Sequence, residues 1–376
     1  MKKKLLAFLF LSAAFFSLSG AFVFAQGEAV SQPPQEETLE AVVEKIAEEK
    51  QIKPLGAENF QLYQKLELLV TKGSLKDKKI IVENGNLPMA NSLRYKVGDK
   101  VMVSFGKDLK GNDSFYITDY IRRESLLWLF LIFTLLAIAV ARWRGAASIL
   151  GMGISFLVIF VFILPKISAG ANPVGIAILG ALMIIPPTFF LSHGFNKKTL
   201  VAMGGTLIAL IITGILANIF VEAAKLTGFA SEEAGFLQVA KGGVINMKGL
   251  LLAGIIIGLL GVLDDVTVSQ AAIVFQLKEA NNRLKFNQLY QRAMKVGQDH
   301  IASMINTLIL VYAGASLPLL LLFLDNPHPF LEVVNYEIIA DEVVRTLVGS
   351  IGLILAVPLT TLIASLAVSA EKNRSS

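Results

Sequence analysis

From Ser125 to Val368 the chain consists of long apolar runs separated by short polar gaps. Seven stretches, near 125–142, 146–164, 173–192, 200–221, 249–275, 299–324 and 345–368, are predominantly apolar, most of about 18 residues or more. A helix of that length crosses the hydrocarbon core of a bilayer and satisfies its own backbone hydrogen bonds there. The reading is a polytopic α-helical membrane bundle of about seven transmembrane helices. Overall composition agrees: 54% of the 376 residues are hydrophobic and the mean hydropathy is +0.64.

The N-terminus begins "MKKKLLAFLFLSAAFFSLSGAFVFAQ". Three lysines, an apolar run and the small residue Ala25 make residues 1–25 a secretory signal peptide or an uncleaved signal anchor. Residues 26–37, with a Pro pair and polar neighbours, read as a linker. Residues 26–124 would then lie outside the cytoplasm, and charge tests this. Segments placed inside carry Arg142, Arg144, Lys197, Lys198, Lys278, Arg283, Lys285, Arg292, Lys295, Lys372 and Arg374. Those placed outside carry only Lys166, Lys225, Lys241, Lys248 and Arg345. The bias obeys the positive-inside rule and puts the C-terminus in the cytoplasm. It also accounts for the net charge of +5 without nucleic acid, since basic residues are not interleaved with aromatic ones as base stacking requires.

Residues 38–121 differ in kind. "QKLELLVTKG", "KKIIVENG", "DKVMVSFG" and "DSFYITDYI" alternate apolar and polar residues or end in glycine turns, whereas "TLEAVVEKI" fits helix or strand. Five short strands suggest a small extracytoplasmic all-β domain, an OB-like barrel. Its expected role is sensing, docking of a partner, or structure.

Two connections stand out. The segment 222–248 is too polar to span and reads as a short surface helix followed by a Gly-rich turn or re-entrant piece. The segment 276–298 sets Leu277, Leu284, Leu289 and Met294 among basic residues, the pattern of an amphipathic helix on the membrane surface.

The chain has no cysteine and three histidines, so thiolate chemistry, disulfides and His-rich metal sites are not expected. It has neither HExxH nor a GxxxxGK[ST] loop. No catalytic residues, metal or cofactor are expected. The residues that invite function are polar groups inside apolar helices. Gly254, Gly258, Gly261, Asp265, Ser269 and Ala272 recur at helical spacing, a stripe expected to pack closely against a neighbour. Asp265 on that stripe would meet either a partner side chain or a water-filled cavity. Asp264 points about 100° away, and its plain reading is an interfacial or locally paired residue. In the next helix Asp299, Ser303 and Asn306 share a stripe with Thr307 beside it, which offers oxygen ligands to a cation or hydrogen bonds to a solute. Pro186, Pro187 and Pro358 should break or kink their helices. "GALMIIPPT" and "GLILAVPLT" echo each other in Gly, Pro and Thr, as repeats do in some transporters.

The blocks "GLLGVLDDVTVSQ", "GQDHIASMINTLILVYAGASLPLLL" and "RTLVGSIGLILAVPLTTLIA", in that order, resemble the YibE/F-like bacterial membrane proteins over about 125–370. In that pattern an Asp precedes a Ser by four residues, which falls on Asp265 and Ser269, and an Asn-Thr pair falls on Asn306 and Thr307. Asp264 does not belong to it. The resemblance implies a multi-pass protein of the cytoplasmic membrane, in a group regarded as candidate transporters. The expectation is a permease of unknown substrate, ion-coupled through an intramembrane Asp. The alternative is a non-transporting scaffold or sensor that uses the β domain. Expected partners are the lipid bilayer, a small solute or ion, and a second copy or other envelope proteins.

Overall fold

The computed structural model describes residues 37–54, 59–87, 93–107, 111–324 and 328–372. The signal segment 1–25 and nearly all of the linker 26–37 lie outside the described residues. The chain divides into two compact units between Leu135 and Leu136.

The first unit holds five strands: β1 (Glu37–Ile52), β2 (Gln61–Lys72), β3 (Lys79–Asn84), β4 (Lys100–Lys107) and β5 (Asp113–Tyr120). They form one antiparallel sheet in the order β3-β2-β1-β4-β5. "TLEAVVEKI" thus becomes a strand, because it is central and pairs on both edges. Alternation does the rest: Leu39, Ala41 and Val43 of β1 bury with Leu66, Leu68 and Val70 of β2 and Val101 and Val103 of β4. Register shifts along β1 mark irregularities that increase local twist, and β3 approaches β5. The turn before β4 forms where its sequence suggested. Gly98 sits at φ 94°, and Asp99 Oδ2 accepts the Lys96 N–H at 2.8 Å.

Buried Gln64 clamps the adjoining loop. Its Oε1 accepts the Tyr95 N–H at 2.8 Å, and its Nε2 donates to the Tyr95 carbonyl at 3.0 Å. Tyr95 is itself buried, and that burial pushes its phenol up to about 12. Glu40 on the outer face takes a two-pronged pair from Arg123, with Nη1 at 2.7 Å and Nη2 at 2.6 Å. The Arg123 hydrogen bonds hold the Glu40 carboxyl below the usual range.

The helices are α1 (Arg123–Val158, continued by a π turn at Ile159–Ile163), α2 (Leu164–Ser168), α3 (Pro173–His193), α4 (Lys197–Ala223), α5 (Glu232–Ala240), α6 (Met247–Ala280), α7 (Phe286–Ala315), α8 (Leu317–Leu324), α9 (Phe330–Val333) and α10 (Glu337–Lys372). Five runs are long and apolar enough to cross a membrane, and α7 with α8, bent by 72°, makes a sixth if counted as one span. α3 and α4 expose Leu179, Leu182, Met183, Ile211 and Ile215, an outer surface as apolar as a core and suited to lipid. α6 is the hub of the second unit, packed on α3, α4, α7 and α10.

Side-chain caps start the helices. Asn172, Asn196 and Asn246 accept the N–H groups of Gly175, Thr199 and Gly249 at 2.9–3.1 Å. α5 rests Ala234 and Leu237 on the core, buries no residue fully, and is followed by Gly242 and Gly243 at φ 59° and 78°, the short helix and glycine turn read from 222–248.

Two expectations are corrected. The 276–298 segment does not lie along the surface as one amphipathic helix. α6 runs on to Ala280 and α7 starts at Phe286, with Leu289, Ala293 and Gly297 buried in the bundle. Apolar burial outweighed surface docking, and Arg283, Lys285, Arg292 and Lys295 stay exposed. The prolines do not interrupt their helices either: α3 is continuous through Pro186 and Pro187, and α10 through Pro358. Each removes a single backbone bond at a helical φ. In α3 the Thr188 hydroxyl reinforces the turn by donating to the carbonyls of Ile184 (2.8 Å) and Ile185 (3.0 Å).

Candidate functional site

The small-residue stripe of α6 faces the wrong way for the packing expected of it. Gly254, Gly258 and Gly261 are exposed, and a Cβ built on any of them would meet nothing within 4 Å. Asp265 is exposed on the same side. Spacing defines a stripe; what it packs against depends on which face buries more. The other faces of α6 bury Leu252, Ile255, Ile256, Leu259, Leu263 and Val266, a larger apolar area than glycines supply.

Among the described residues no hydrogen bond or ion pair holds the Asp265 side chain. Asp265 acts electrostatically on Asp264 and on His193, which also feels Lys198 and Arg144. It therefore lies toward the end of the bundle where α3 stops and α4 begins. Asp264 is half-buried, and its buried Oδ1 has no hydrogen-bond partner. Ser269 is half-buried below the stripe. On α7, Asp299, Ser303, Asn306 and Thr307 are all exposed, and Thr307 donates back to the Ser303 carbonyl at 3.0 Å. None of these four hydrogen-bonds Asp264 or Asp265 among the described residues.

Close packing occurs instead through buried threonines, Gln270 and glycines away from that stripe. On α4, Thr199, Thr206 and Thr213 are buried at a spacing of seven. Thr206 and Thr267 of α6 share a hydrogen bond at 2.7 Å between hydroxyls. Gln270, wholly buried, donates to Thr361 Oγ1 at 2.7 Å and to the Ala293 carbonyl at 3.1 Å, joining α6, α7 and α10. Gly205 of α4 faces the Thr360 side chain, and Gly352 of α10 faces Thr213, each with no room for a Cβ. This inner seam of Thr, Gln and Gly is the small-residue packing that apolar solvent favours. Its sequence signals were the heptad of threonines on α4 and the "GLILAVPLT" echo, whose Gly352 and Thr360 both lie in the seam.

The open stripe leads to a cavity. A space of about 540 Å³ is bounded by the starts of α5, α6 and α10 and by the α7–α8 bend. Leu250, Leu251 and Gly254 line it from α6, Ser316 and Leu319 from the bend, and Asp341, Glu342 and Arg345 from α10. Arg345 Nη2 reaches Asp341 Oδ2 at 3.2 Å and Nη1 reaches Glu342 Oε1 at 3.5 Å. Asp341 Oδ1 and Arg345 Nε are buried without hydrogen-bond partners. Next to this space lies a narrow void lined by Gly258, Val262, Tyr312, Gly349 and the same Arg345. Gly254 to Asp265 covers eleven residues, about 16 Å along α6. One face of α6 thus runs from a charged cavity at one end toward a free carboxylate at the other.

The YibE/F-like protein family matches residues 129–370. The chain belongs to that family. No curated protein and no solved structure matches it. The YibE/F-like region starts within α1 and ends in α10, so it contains the cavity, the seam and both aspartates and leaves out the β-sheet. Asp341 and Glu342 of this YibE/F-like chain are a second carboxylate pair that the sequence reading passed over. The signal was there in "ADEVVR": an acid three and four residues before Arg345 on one helix. Among the described residues no group of three or more His, Cys, Asp or Glu is placed to hold a metal ion.

Proposed function

We propose that this YibE/F-like protein is a permease for a small solute, ion-coupled through Asp265. The observation that carries the proposal is the open face of α6, which joins the 540 Å³ cavity to an unpartnered carboxylate. A carboxylate turned to lipid costs several kcal/mol, so an intramembrane Asp on an open face belongs to a water-filled path. Ser303, Asn306 and Thr307, exposed on neighbouring α7, would supply polar lining.

The proposed topology has seven crossings. The Arg123–Ser168 run of 46 residues would be about 69 Å long as one straight helix, more than twice a ~30 Å core. Arg142 breaks it at φ 53°, and Gly145 packs against the Ala137 carbonyl with no room for a Cβ. Two crossings with a basic cytoplasmic turn follow. With the bent pair as one span, the count is seven and the cavity opens away from the cytoplasm. The approach of the two edge strands β3 and β5, which are not paired by a ladder, supports an OB-like barrel outside the membrane.

A scaffold or sensor role would leave the cavity and path without use, although a second copy of the chain seated on the glycine stripe would give that stripe a structural purpose. Reconstitution in vesicles containing a pH-sensitive dye separates these readings. A small-molecule panel should include a solute that moves protons in wild type and in Asp264→Asn but not in Asp265→Asn. Full proton coupling in a folded Asp265→Asn variant would defeat the coupling role.

A further inference from the structure

We propose that the basic end of the bundle, where the bend of α1 meets the α3–α4 loop, binds anionic phospholipid headgroups of the inner leaflet. The inference uses the bend at Arg142 as a turn between crossings and is independent of the permease. Arg142 and Arg144 flank Trp143 at the bend, and Lys198 stands in the first turn of α4. The fold brings these segments together. The Ser148 and Ser192 hydroxyls meet at 3.2 Å, and a Cβ built on Gly151 would lie 3.5 Å from Thr188 Cα. Across that contact Arg144 and Lys198 both act electrostatically on His193. Among the described residues the side chains of Arg142, Arg144 and Lys198 make no hydrogen bond or ion pair. Asp265 acts on His193 from α6, one carboxylate against this group of cations. Uncompensated cations repel one another, and a phosphate that contacts two of them relieves that repulsion.

The neighbours of the cations select a lipid as the source of that phosphate. Trp143 and Phe195 are 66% and 85% exposed, and Phe195 stacks on Phe190 with ring centroids 3.9 Å apart. Val140 and Leu200, also exposed, lie on the adjoining turns and begin the apolar outer surface of α1 and α4. Tryptophan and basic side chains together at the end of an apolar span are the pattern of the membrane–water interface. A free phosphate ion would use the cations and leave both rings in water. A phospholipid places its headgroup on the cations and its glycerol and upper chains against the rings, and anionic headgroups are drawn to such a surface.

The test uses Trp143 as its own reporter. The chain has two tryptophans, Trp128 and Trp143, so Trp128→Phe leaves a single tryptophan at the site. The full chain with that substitution is reconstituted in phosphatidylcholine vesicles that contain graded fractions of brominated phosphatidylglycerol or brominated phosphatidylcholine. Each Lys or Arg near an anionic surface contributes about fivefold in affinity. Half-maximal quenching of Trp143 should therefore need at least about fivefold less phosphatidylglycerol than phosphatidylcholine, and the preference should narrow as salt is raised. Adding Arg144→Gln and Lys198→Gln should remove most of the preference, whereas Arg144→Lys with Lys198→Arg should keep it. Equal quenching by the two lipids without further substitution overturns the proposal, as does a preference that the double glutamine variant keeps in full. Quenching by neither lipid, with Trp143 open to aqueous iodide, overturns it as well. If the double glutamine variant does not fold, salt decides, and a preference that salt leaves unchanged overturns the proposal. No solute is moved in this assay, so its outcome leaves the permease to its own test.

Discussion

Replacing Gly205 with alanine asks whether α4 and α10 are held at glycine distance. The added methyl would lie 3.1 Å from Thr360 Cβ and 3.3 Å from its Cγ2, and closer still to its hydroxyl. Thr360 is wholly buried and β-branched, so its side chain has little rotamer freedom with which to retreat. The helices must separate, an overpacking cost of about 1–3 kcal/mol. Helix propensity returns about 1 kcal/mol. Gly258→Ala gains the same propensity but meets nothing within 4 Å. The two variants should therefore differ in stability by about 1–3 kcal/mol, Gly205→Ala being the weaker. Thr360→Ala supplies the second arm of a cycle. It removes Oγ1 and Cγ2, leaves only Cβ at 3.1 Å from the new methyl, and breaks no hydrogen bond, since Thr360 Oγ1 has no partner. The double variant should recover about 1–2 kcal/mol of the loss. Reversible denaturation in mixed micelles reads all four proteins. Equal stability of Gly205→Ala and Gly258→Ala, or a cycle with no coupling, would refute the inner seam as the close-packed face of the bundle.

Other outcomes follow from polar groups outside the bundle core. Tyr95 titrates from an ordinary value of 10.0 up to about 12 when folded, so it stabilises fully below pH 10 and the contribution is lost as pH rises through 12. Phenolate absorbance should show a late-titrating component that Tyr95→Phe removes, with Tyr63 and Tyr120 also raised by burial, and Tyr95→Phe should flatten the alkaline limb of unfolding. Glu40 behaves oppositely: its carboxyl is lowered from 4.5, so its contribution is present above that pH and lost as pH falls through the depressed value. Arg123→Ala should remove this acid dependence without shifting the alkaline limb. Glu337 accepts the Thr227 N–H at 2.6 Å, the Thr227 hydroxyl at 2.8 Å and the Gly228 N–H at 3.0 Å, tying the segment before α5 to α10. Glu337→Gln should cost about 1–2 kcal/mol and increase hydrogen exchange at Thr227 and Gly228; unchanged exchange would show that the segment is held by other contacts.

Much of this protein was legible in the order of its residues. Apolar runs long enough to cross a bilayer declare a membrane bundle, because only helices can satisfy a backbone there. Alternation through β2 to β5 declares a sheet, because side chains in a strand change face at every step, while β1 fitted helix or strand until its pairing on both edges decided it. The glycine turn after α5 follows from local chemistry alone, and "DDVTVS" with "NT" pointed to the family. What the sequence left open is which side of each helix is inside. Period fixes the faces of α6, but their burial is settled by competition among α3, α4, α7 and α10 for apolar area. The glycine stripe with Asp265 lost that competition and Thr267 with Gln270 won it. The cavity could not be read at all from residues 228–345 in line. Its charge comes from Asp341, Glu342 and Arg345 on one helix, and its walls come from α5, α6 and the α7–α8 bend. Only the tertiary structure sets apolar walls beside those charges, because that requires segments far apart in the chain to meet.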